Sequence, residues 1–394
     1  MSSNIRQKVL ENYEYLVDSR KHFHMYPELS SHEYETAKYI KKQLDEFKIP
    51  YETTGETCII ATIQGSKEGK IVALRGDIDA LPIQEATGVD FTSKNDGVMH
   101  ACGHDCHITF MLGSAKILNE LKDDIQGTVK IIFQEGEEIG AGARKIMATQ
   151  LLDGVENIVG LHVSPGLDLG KFALGYGVQS SYGAGAQISV LGKGGDAAYP
   201  DKTVNALIVA GQIVTSISAA VAYEFPSNQQ VVLVPTILNA GLGSHDIPET
   251  AEIAYNFRTL DEKNFDILNR ILENVPQNIA RAFGAEVKVE IWGPGGAVDN
   301  ETASTDRAIR VLRENFGDDS VIISRPFMGG EDFSLYQKKI PGVFAHVGGI
   351  GNENYSALHT DVTIVDEEVL KYGVEFLVQY AFTYLDENAN KPGE

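Results

Sequence analysis

The sequence predicts an α/β domain with a mainly parallel central sheet, into which a smaller α+β domain is inserted. Three observations carry this. Short β-type runs alternate with helical stretches up to residue 181; from 182 the order becomes strand-helix-strand-strand-helix-strand; after 295 the first pattern resumes. At about 150 residues per domain, 394 residues suggest two or three domains. The expected division is a discontinuous domain, 1–181 plus 295–394, and an insertion, 182–294.

Ile5 to Met25 reads as a charged amphipathic helix. Ser30 and Glu33 form a capping-box pattern, after which Ala37, Ile40, Leu44 and Phe47 recur at helical spacing. Strands are expected at Cys58–Ile63 and Ile71–Leu74, a helix through Met111, Ala115, Leu118 and Leu121, and a strand at Thr128–Phe133. A helix at Ala143–Leu152 leads to the strand Asn157–Val163. In the insertion, strands Gln187–Leu191, Val231–Ile237, Glu252–Phe257 and Glu286–Ile291 enclose an uncharged helix from Thr203 and another from Glu262 to Phe283. That is the order of a ferredoxin-like α+β sandwich, closed by a Gly293-Pro294-Gly295-Gly296 turn. Helices Thr305–Phe316 and Glu367–Leu385 complete the chain, with a frayed tail at Asn388–Glu394.

The balance of 33 Lys+Arg against 55 Asp+Glu gives −22, a surface that repels phosphate backbones and anionic lipid, so neither nucleic acid nor membrane is an expected partner. Three cysteines, Cys58, Cys102 and Cys106, are too few for a disulfide framework and point to a reducing cytoplasm; the polar N-terminus has no export signal. Thr203 to Tyr223 is long enough to span a bilayer, but Asn205, Gln212, Thr215, Ser216 and Ser218 favour a buried or interface-packed helix.

The densest chemical feature is His100-Ala101-Cys102-Gly103-His104-Asp105-Cys106-His107. It reads as a self-contained structural zinc site, as a redox or nucleophilic Cys102, or as a half-site in which Cys102 and His104 are two ligands and distant segments supply the rest. The last is favoured. Glu135, Glu137 and Glu138 stand at a strand tip, where neighbouring side chains diverge and take different jobs; a solvated acidic turn would look the same. His162 among apolar neighbours also fits a core histidine, and His359 carries no signal alone.

Taken in order, these groups resemble the aminoacylase, carboxypeptidase G and indole-acetyl-amino-acid hydrolase family of dinuclear metallopeptidases, most closely its amidohydrolase branch. The motifs span nearly the whole chain: His22–Leu29, Leu74–Ile83, Met99–Asp105, Glu137-Glu138, Gly160–His162, Gly192–Gly195, Phe257–Thr259, Gly329–Phe333 and Leu358-His359. The resemblance implies a phosphorylase/hydrolase-like catalytic domain with a mainly parallel central sheet, plus an inserted ferredoxin-like α+β lid/dimerisation domain. It implies that Cys102, His104, Glu138, His162 and His359 hold two divalent metal ions, with the Cys102 thiolate touching both. Glu137 would be the catalytic base. The donor set suits zinc best, with manganese, cobalt or nickel as alternatives. Asp77, Asp79 and Asp105 would orient ligands, and Gly329 and Gly330 would let backbone approach the substrate. Arg258 would hold a substrate carboxylate, against the plainer reading of a surface salt bridge.

The implied reaction is hydrolysis of an amide by a metal-activated water, with Glu137 moving the proton. N-acyl amino acids come first as substrates and short peptides second. A metal-bound but catalytically silent binding protein and a redox sensor are the rivals from other classes. One departure stands out: the family usually has histidine after the insertion's glycines, to steady the oxyanion, and this chain has Asp196. His245, where relatives usually carry asparagine, is expected to supply the missing donor. The family's inserted domain commonly forms homodimers, which the apolar Val204–Ala222 stretch fits.

Overall fold

The computed structural model describes residues 2–293, 295–350 and 356–389. Pro294 of the expected turn and residues 390–394 of the expected frayed tail lie outside that range. The chain starts with helices α1 (Ser2–Glu11), α2 (Tyr13–Met25) and α3 (Tyr34–Phe47). The single helix expected over Ile5–Met25 is thus interrupted at Asn12, whose side-chain amide donates to the Lys8 carbonyl at 2.8 Å. The expected capping box is not formed. Glu28 caps α3 instead, its carboxylate accepting the Glu35 and Thr36 N–H groups at 3.2 and 2.8 Å. There follow β1 (Tyr51–Thr54), β2 (Cys58–Gln64), β3 (Lys67–Asp77), α4 (His104–Glu120), β4 (Gln126–Gln134), α5 (Gly142–Met147), β5 (Val155–Asp168), β6 (Phe172–Leu174) and β7 (Gly177–Val178).

A second unit interposes β8 (Tyr182–Leu191), β9 (Gly195–Asp196), α6 (Ala206–Glu224), β10 (Val231–Ala240), β11 (Asp246–Ile247), β12 (Thr250–Thr259), α7 (Asn264–Phe283) and β13 (Glu286–Trp292). The first unit then resumes with β14 (Asp299–Asn300), α8 (Thr302–Phe316), β15 (Val321–Ile323), α9 (Ser334–Gln337), β16 (Gly342–Ile350) and α10 (Val369–Asn388). The first unit comprises Met1–Gln179, Val298–Arg325 and Glu331–Glu394, the second Ser180–Ala297 and Pro326–Gly330. Gly329 and Gly330, read from the sequence as part of the catalytic domain, therefore group with the insertion.

The first unit is built on an eight-stranded sheet in the order β1-β2-β4-β3-β5-β16-β6-β15. Its centre, β4-β3-β5-β16, is parallel; β1 and β2 run antiparallel at one side, and β6 is antiparallel to β16 at the other. Strand alternation sorts the core. Ile59, Ala61, Val72, Leu74, Ile131, Phe133, Val159 and Ala345 meet α1, α2, α3, α4, α8 and α10 on one face. Ile60, Ala73, Ile132, Ile158 and Phe344 meet α5 and α9 on the other. Helix α4 is buried along most of its length, so its first turn is held rigidly at the carboxyl ends of the parallel strands.

The second unit pairs four strands, all antiparallel, in the order β10-β12-β8-β13, the ferredoxin-like arrangement expected from element order. Helices α6 and α7 cover one face, with Ile188, Val209, Ile213, Ile253, Phe257 and Leu268 in its core. Among the described residues α6 is the one helix long and apolar enough to cross a membrane. It buries Val209, Ala210, Ile213 and Ile217 and leaves Leu207, Ile208 and Tyr223 exposed.

Candidate metal centre

Four separate segments of the first unit converge beyond its strand ends. The turn before α4 brings Cys102 and His104; the tip after β4 brings Glu137 and Glu138; β5 carries His162; and the loop before α10 carries His359. Gly103, between the first two, has φ +80°, and a Cβ there would lie 2.3 Å from Val163 Cγ2, so only glycine lets this turn press against β5. His359 also has positive φ, +62°, and its N–H donates to the Ala101 carbonyl at 2.8 Å, which ties the late histidine to the cysteine turn.

The donor atoms fall into two triads that share one sulfur. Cys102, His104 and His162 form the first; Cys102, Glu138 and His359 form the second. Cys102 Sγ lies 3.4 Å from His162 Nε2 and 3.2 Å from His359 Nε2, and His359 Nε2 lies 3.3 Å from Glu138 Oε1. His104 Nε2 is 3.9 Å from the same Glu138 oxygen. Both of those last atoms are buried without a hydrogen-bond partner among the described residues. An unpartnered buried polar atom costs about 1–3 kcal/mol, and a shared cation relieves several at once.

The imidazoles of His104 and His162 are oriented from behind so that each Nε2 faces inward. His104 Nδ1–H donates to the Asp79 carbonyl at 2.8 Å and His162 Nδ1–H to the Val163 carbonyl at 2.6 Å, which turns each Nε2 toward the sulfur. Burial, followed by the neighbouring His107, pushes His162 well below its ordinary value, so its ring is neutral. Burial works against a charged His104, but Asp77, the Cys102 sulfur and Asp79 outweigh it and raise that ring well above 6.5. Cys102 is buried, and burial raises its thiol. The thiol therefore ionises here only beside a compensating cation. The donor set, its unpartnered atoms and its excess of carboxylate charge all fit metal ions.

The three aspartates differ. Asp79 is bonded to a candidate ligand, accepting from His104 Nδ1 at Oδ1. Asp77 Oδ1 lies 3.7 Å from His104 Nε2, but its short bonds go elsewhere: it takes His107 Nδ1–H at 2.6 Å and Arg75 at 2.8 Å. His107 Nε2 in turn accepts the Val163 N–H at 2.9 Å, so both of its nitrogens are occupied and it is no ligand. Asp105 faces away, toward Arg20 at 3.1 Å and His24 at 2.9 Å; it anchors α4 to α2 instead of orienting a ligand.

Glu137 Oε1 accepts the Asp332 N–H at 3.3 Å. Burial, then the charges of Glu331, Asp332 and Asp77, lifts its carboxyl well above the usual range. A network that the sequence reading missed supports it. Arg75, 1% exposed, gives Nε to Gln134 at 2.9 Å and its other nitrogens to Asp77, Asp332 (2.7 Å) and Glu331 (3.1 Å). Gln134 also accepts from Tyr336 Oη and donates to Asp332. The signal was present: a cation ending the apolar run Ile71–Leu74 must be paired when buried.

In the second unit, Arg258 Nε donates to Asn256 at 3.2 Å, and among the described residues no carboxylate pairs with the half-buried guanidinium. A Cβ at Gly330 would lie 2.8 Å from Arg258 and one at Gly329 2.5 Å from the Phe327 ring, so a side chain at either position would displace its neighbour. Asp196 pairs with Asp246 across the β9–β11 ribbon, and the Ala197 N–H donates to the His245 carbonyl, so the substituted position and its expected substitute are neighbours. Asp196 Oδ1 is taken by the Ala198 N–H at 2.8 Å, while His245 is exposed.

Residues 73–383 match peptidase family M20/M25/M40. N-acetylcysteine deacetylase of Bacillus subtilis is 35% identical over 380 residues, covering 94% of this chain and 97% of its own length. The IAA-amino acid hydrolase ILR1-like 5 of Arabidopsis thaliana is 33% identical over 396 residues, covering 97% and 89%. The crystal structure of a dinuclear metal-binding peptidase of the M20 family from Bacillus subtilis superposes with a TM-score of 0.82 at 32% identity, over 95% of this chain and 98% of that one. The chain belongs to peptidase family M20/M25/M40 and is a hydrolase.

Proposed function

We propose that the protein is a dinuclear metal-dependent amidohydrolase that releases amino acids from N-acyl amino acids. The single observation that carries this is the pair of donor triads sharing Cys102, with Glu137 beside them and bonded to a backbone N–H. The N-acetylcysteine deacetylase and IAA-amino acid hydrolase relatives support the substrate class. Cys102, His104, Glu138, His162 and His359 would hold two cations, zinc first and manganese, cobalt or nickel as alternatives. Bound there, such cations supply Lewis-acid charge for activating water and polarising an amide carbonyl. Glu137 accepts the proton of the attacking water and passes it to the departing nitrogen, which an amide needs because an unprotonated amine leaves poorly.

Arg258, half-buried and without a carboxylate partner among the described residues, is suited to a substrate carboxylate. His245 would supply the oxyanion donor that Asp196 cannot; His245→Ala then lowers kcat about a hundredfold, and a change within about twofold ends that assignment. A homodimer is supported by the edge position of β10, where Val232, Val234, Ile237 and Leu238 are exposed, and by the exposed face of α6. A cytoplasmic location is supported by three unpaired cysteines.

The test is amino-acid release from a panel of N-acyl amino acids and dipeptides, before chelation, after it, and after metal is returned. Release that is lost and restored with metal is expected, with N-acyl amino acids cleaved faster than dipeptides. A dipeptide preference would favour the peptidase reading that the M20 structural neighbour suggests. Absence of any cleavage by metal-replete protein would overturn both.

A further inference from the structure

Behind the candidate ligands runs the turn between α2 and α3, whose polar side chains point at the supports of the metal centre instead of at solvent. Ser30 Oγ donates to Asp79 Oδ2 at 2.6 Å. The same Oδ2 accepts the Glu138 N–H at 3.1 Å, while the other oxygen and the carbonyl of Asp79 accept from His104 Nδ1 at 3.2 and 2.8 Å. Glu33, 0% exposed, receives the Gly136 N–H at 2.8 Å and the Ser31 N–H at 2.9 Å on one carboxylate oxygen. Gly136, at φ +55°, is the turn residue that swings Glu137 and Glu138 off the end of β4. The backbone adds two fixings: the Ala80 N–H donates to the Glu28 carbonyl at 2.8 Å, and Leu29 bridges Ala80 in parallel register. Ser31 holds φ +63°, a conformation retained when the surroundings over-determine it.

We propose that Ser30 and Glu33 are positioning residues for the metal centre, Ser30 acting through Asp79 on His104 and Glu138, and Glu33 acting through the Gly136 N–H on the tip that carries Glu137 and Glu138. This rests on the metal-binding reading above. Asp79 sits on the loop after β3, and its carboxylate must hold one orientation to fix the His104 tautomer and the Glu138 backbone together. Ser30 supplies the bond that stops that carboxylate from turning. Glu33 does the corresponding work on the opposite arm. One turn thereby sets the spacing between the imidazole of one triad and the carboxylate of the other. This also accounts for the capping-box residues failing to cap α3: both are engaged elsewhere.

The experiment compares wild type with Ser30→Ala, Ser30→Thr, Glu33→Ala and Glu33→Gln in the full chain. Zinc affinity is read by competition with a chromophoric chelator, and the cobalt-loaded proteins are read by visible absorption, with urea unfolding as the fold control. Ser30→Ala and Glu33→Ala are expected to weaken zinc binding about 10–100-fold and to alter the cobalt bands. Ser30→Thr keeps the hydroxyl and Glu33→Gln keeps the accepting oxygen, so both are expected within about threefold of wild type. Alanine variants that bind zinc as wild type does would overturn the proposal. So would an equal loss in the alanine and conservative variants, since the hydrogen bonds would then not be what matters. Wild-type protein that takes up neither zinc nor cobalt would instead overturn the metal-binding reading, and the proposal with it.

Discussion

Arg75→Met takes one buried positive charge away from three carboxylates. In the folded protein its guanidinium bonds Asp77 at 2.8 Å, Asp332 at 2.7 Å and Glu331 at 3.1 Å, and all four residues are less than a tenth exposed. Bonds to charged groups contribute about 1.5–3 kcal/mol each, but they do not add here, because the cost of burying the arginine disappears with it. Removing one partner from a buried charge cluster costs about 3–5 kcal/mol, the loss expected near about pH 8. The penalty should shrink in acid. Burial holds Glu331 and Asp332 above the usual carboxylate range while Arg75 pulls them back; without it they rise further and take up protons. A carboxyl with a raised folded value stabilises fully below its unfolded value, about 4, and loses that contribution as pH climbs through the folded one. Urea unfolding followed by circular dichroism at about pH 8 and about pH 5 reads both effects. A loss under about 1 kcal/mol at the higher pH, or one that does not shrink at the lower, would refute the argument.

Three further outcomes are expected. Glu137→Ala should lower turnover by at least about a hundredfold while metal per chain, measured by atomic absorption, stays at the wild-type level; joint loss of metal and activity would contradict its assignment as base. Gly103→Ala should lower stability by about 1–3 kcal/mol and weaken metal binding, since the new methyl meets Val163 and the backbone is left-handed there; an unchanged melt would contradict it. His24 is disfavoured as a cation by burial, but its bonds to Asp105 and Glu85 outweigh this and raise it to about 9. Its stabilisation is complete below about pH 6.5 and fades as pH rises through 9, so His24→Leu should flatten the stability curve across that window, and a slope identical to wild type would refute the assignment.

Much of the architecture was legible because each part of the chain has one dominant period. The alternation in Gln187–Leu191 and Glu252–Phe257 and the helical spacing between them leave little besides a ferredoxin-like order. The metal donors were legible through the family resemblance, since His162 alone fits a core histidine and His359 alone carries no signal; Cys102, His104, Glu138, His162 and His359 lie together in the fold. What sequence could not convey is which polar side chain is spent on which partner. Ser30 and Glu33 match a helix cap letter for letter, yet Glu28 does that job and they bond elsewhere. Asp105 sits beside a ligand in sequence and turns its carboxylate to the far side of α4. Arg75 and Asp332 are 257 residues apart, and no local pattern joins them.

The way the chain leaves and re-enters the first unit has a consequence for modularity. β7 pairs with β14, and the Gln179 N–H donates to the Val298 carbonyl at 2.7 Å, so the outgoing and returning strands are zipped side by side. The segment Ser180–Ala297 thus departs and returns through a two-stranded stem whose ends already sit at hairpin distance, and Pro326–Gly330 of the second unit belongs to a separate pass of the chain. Splicing Gln179 to Val298 through a tight turn would leave every rung of that stem in place. All five donor residues and Glu137 lie on the retained side, whereas Arg258 and His245 lie on the excised one. The proposed ion donors and the proposed substrate-binding residues thus fall on opposite sides of those two cuts, while Pro326–Gly330 of the second unit stays on the retained side.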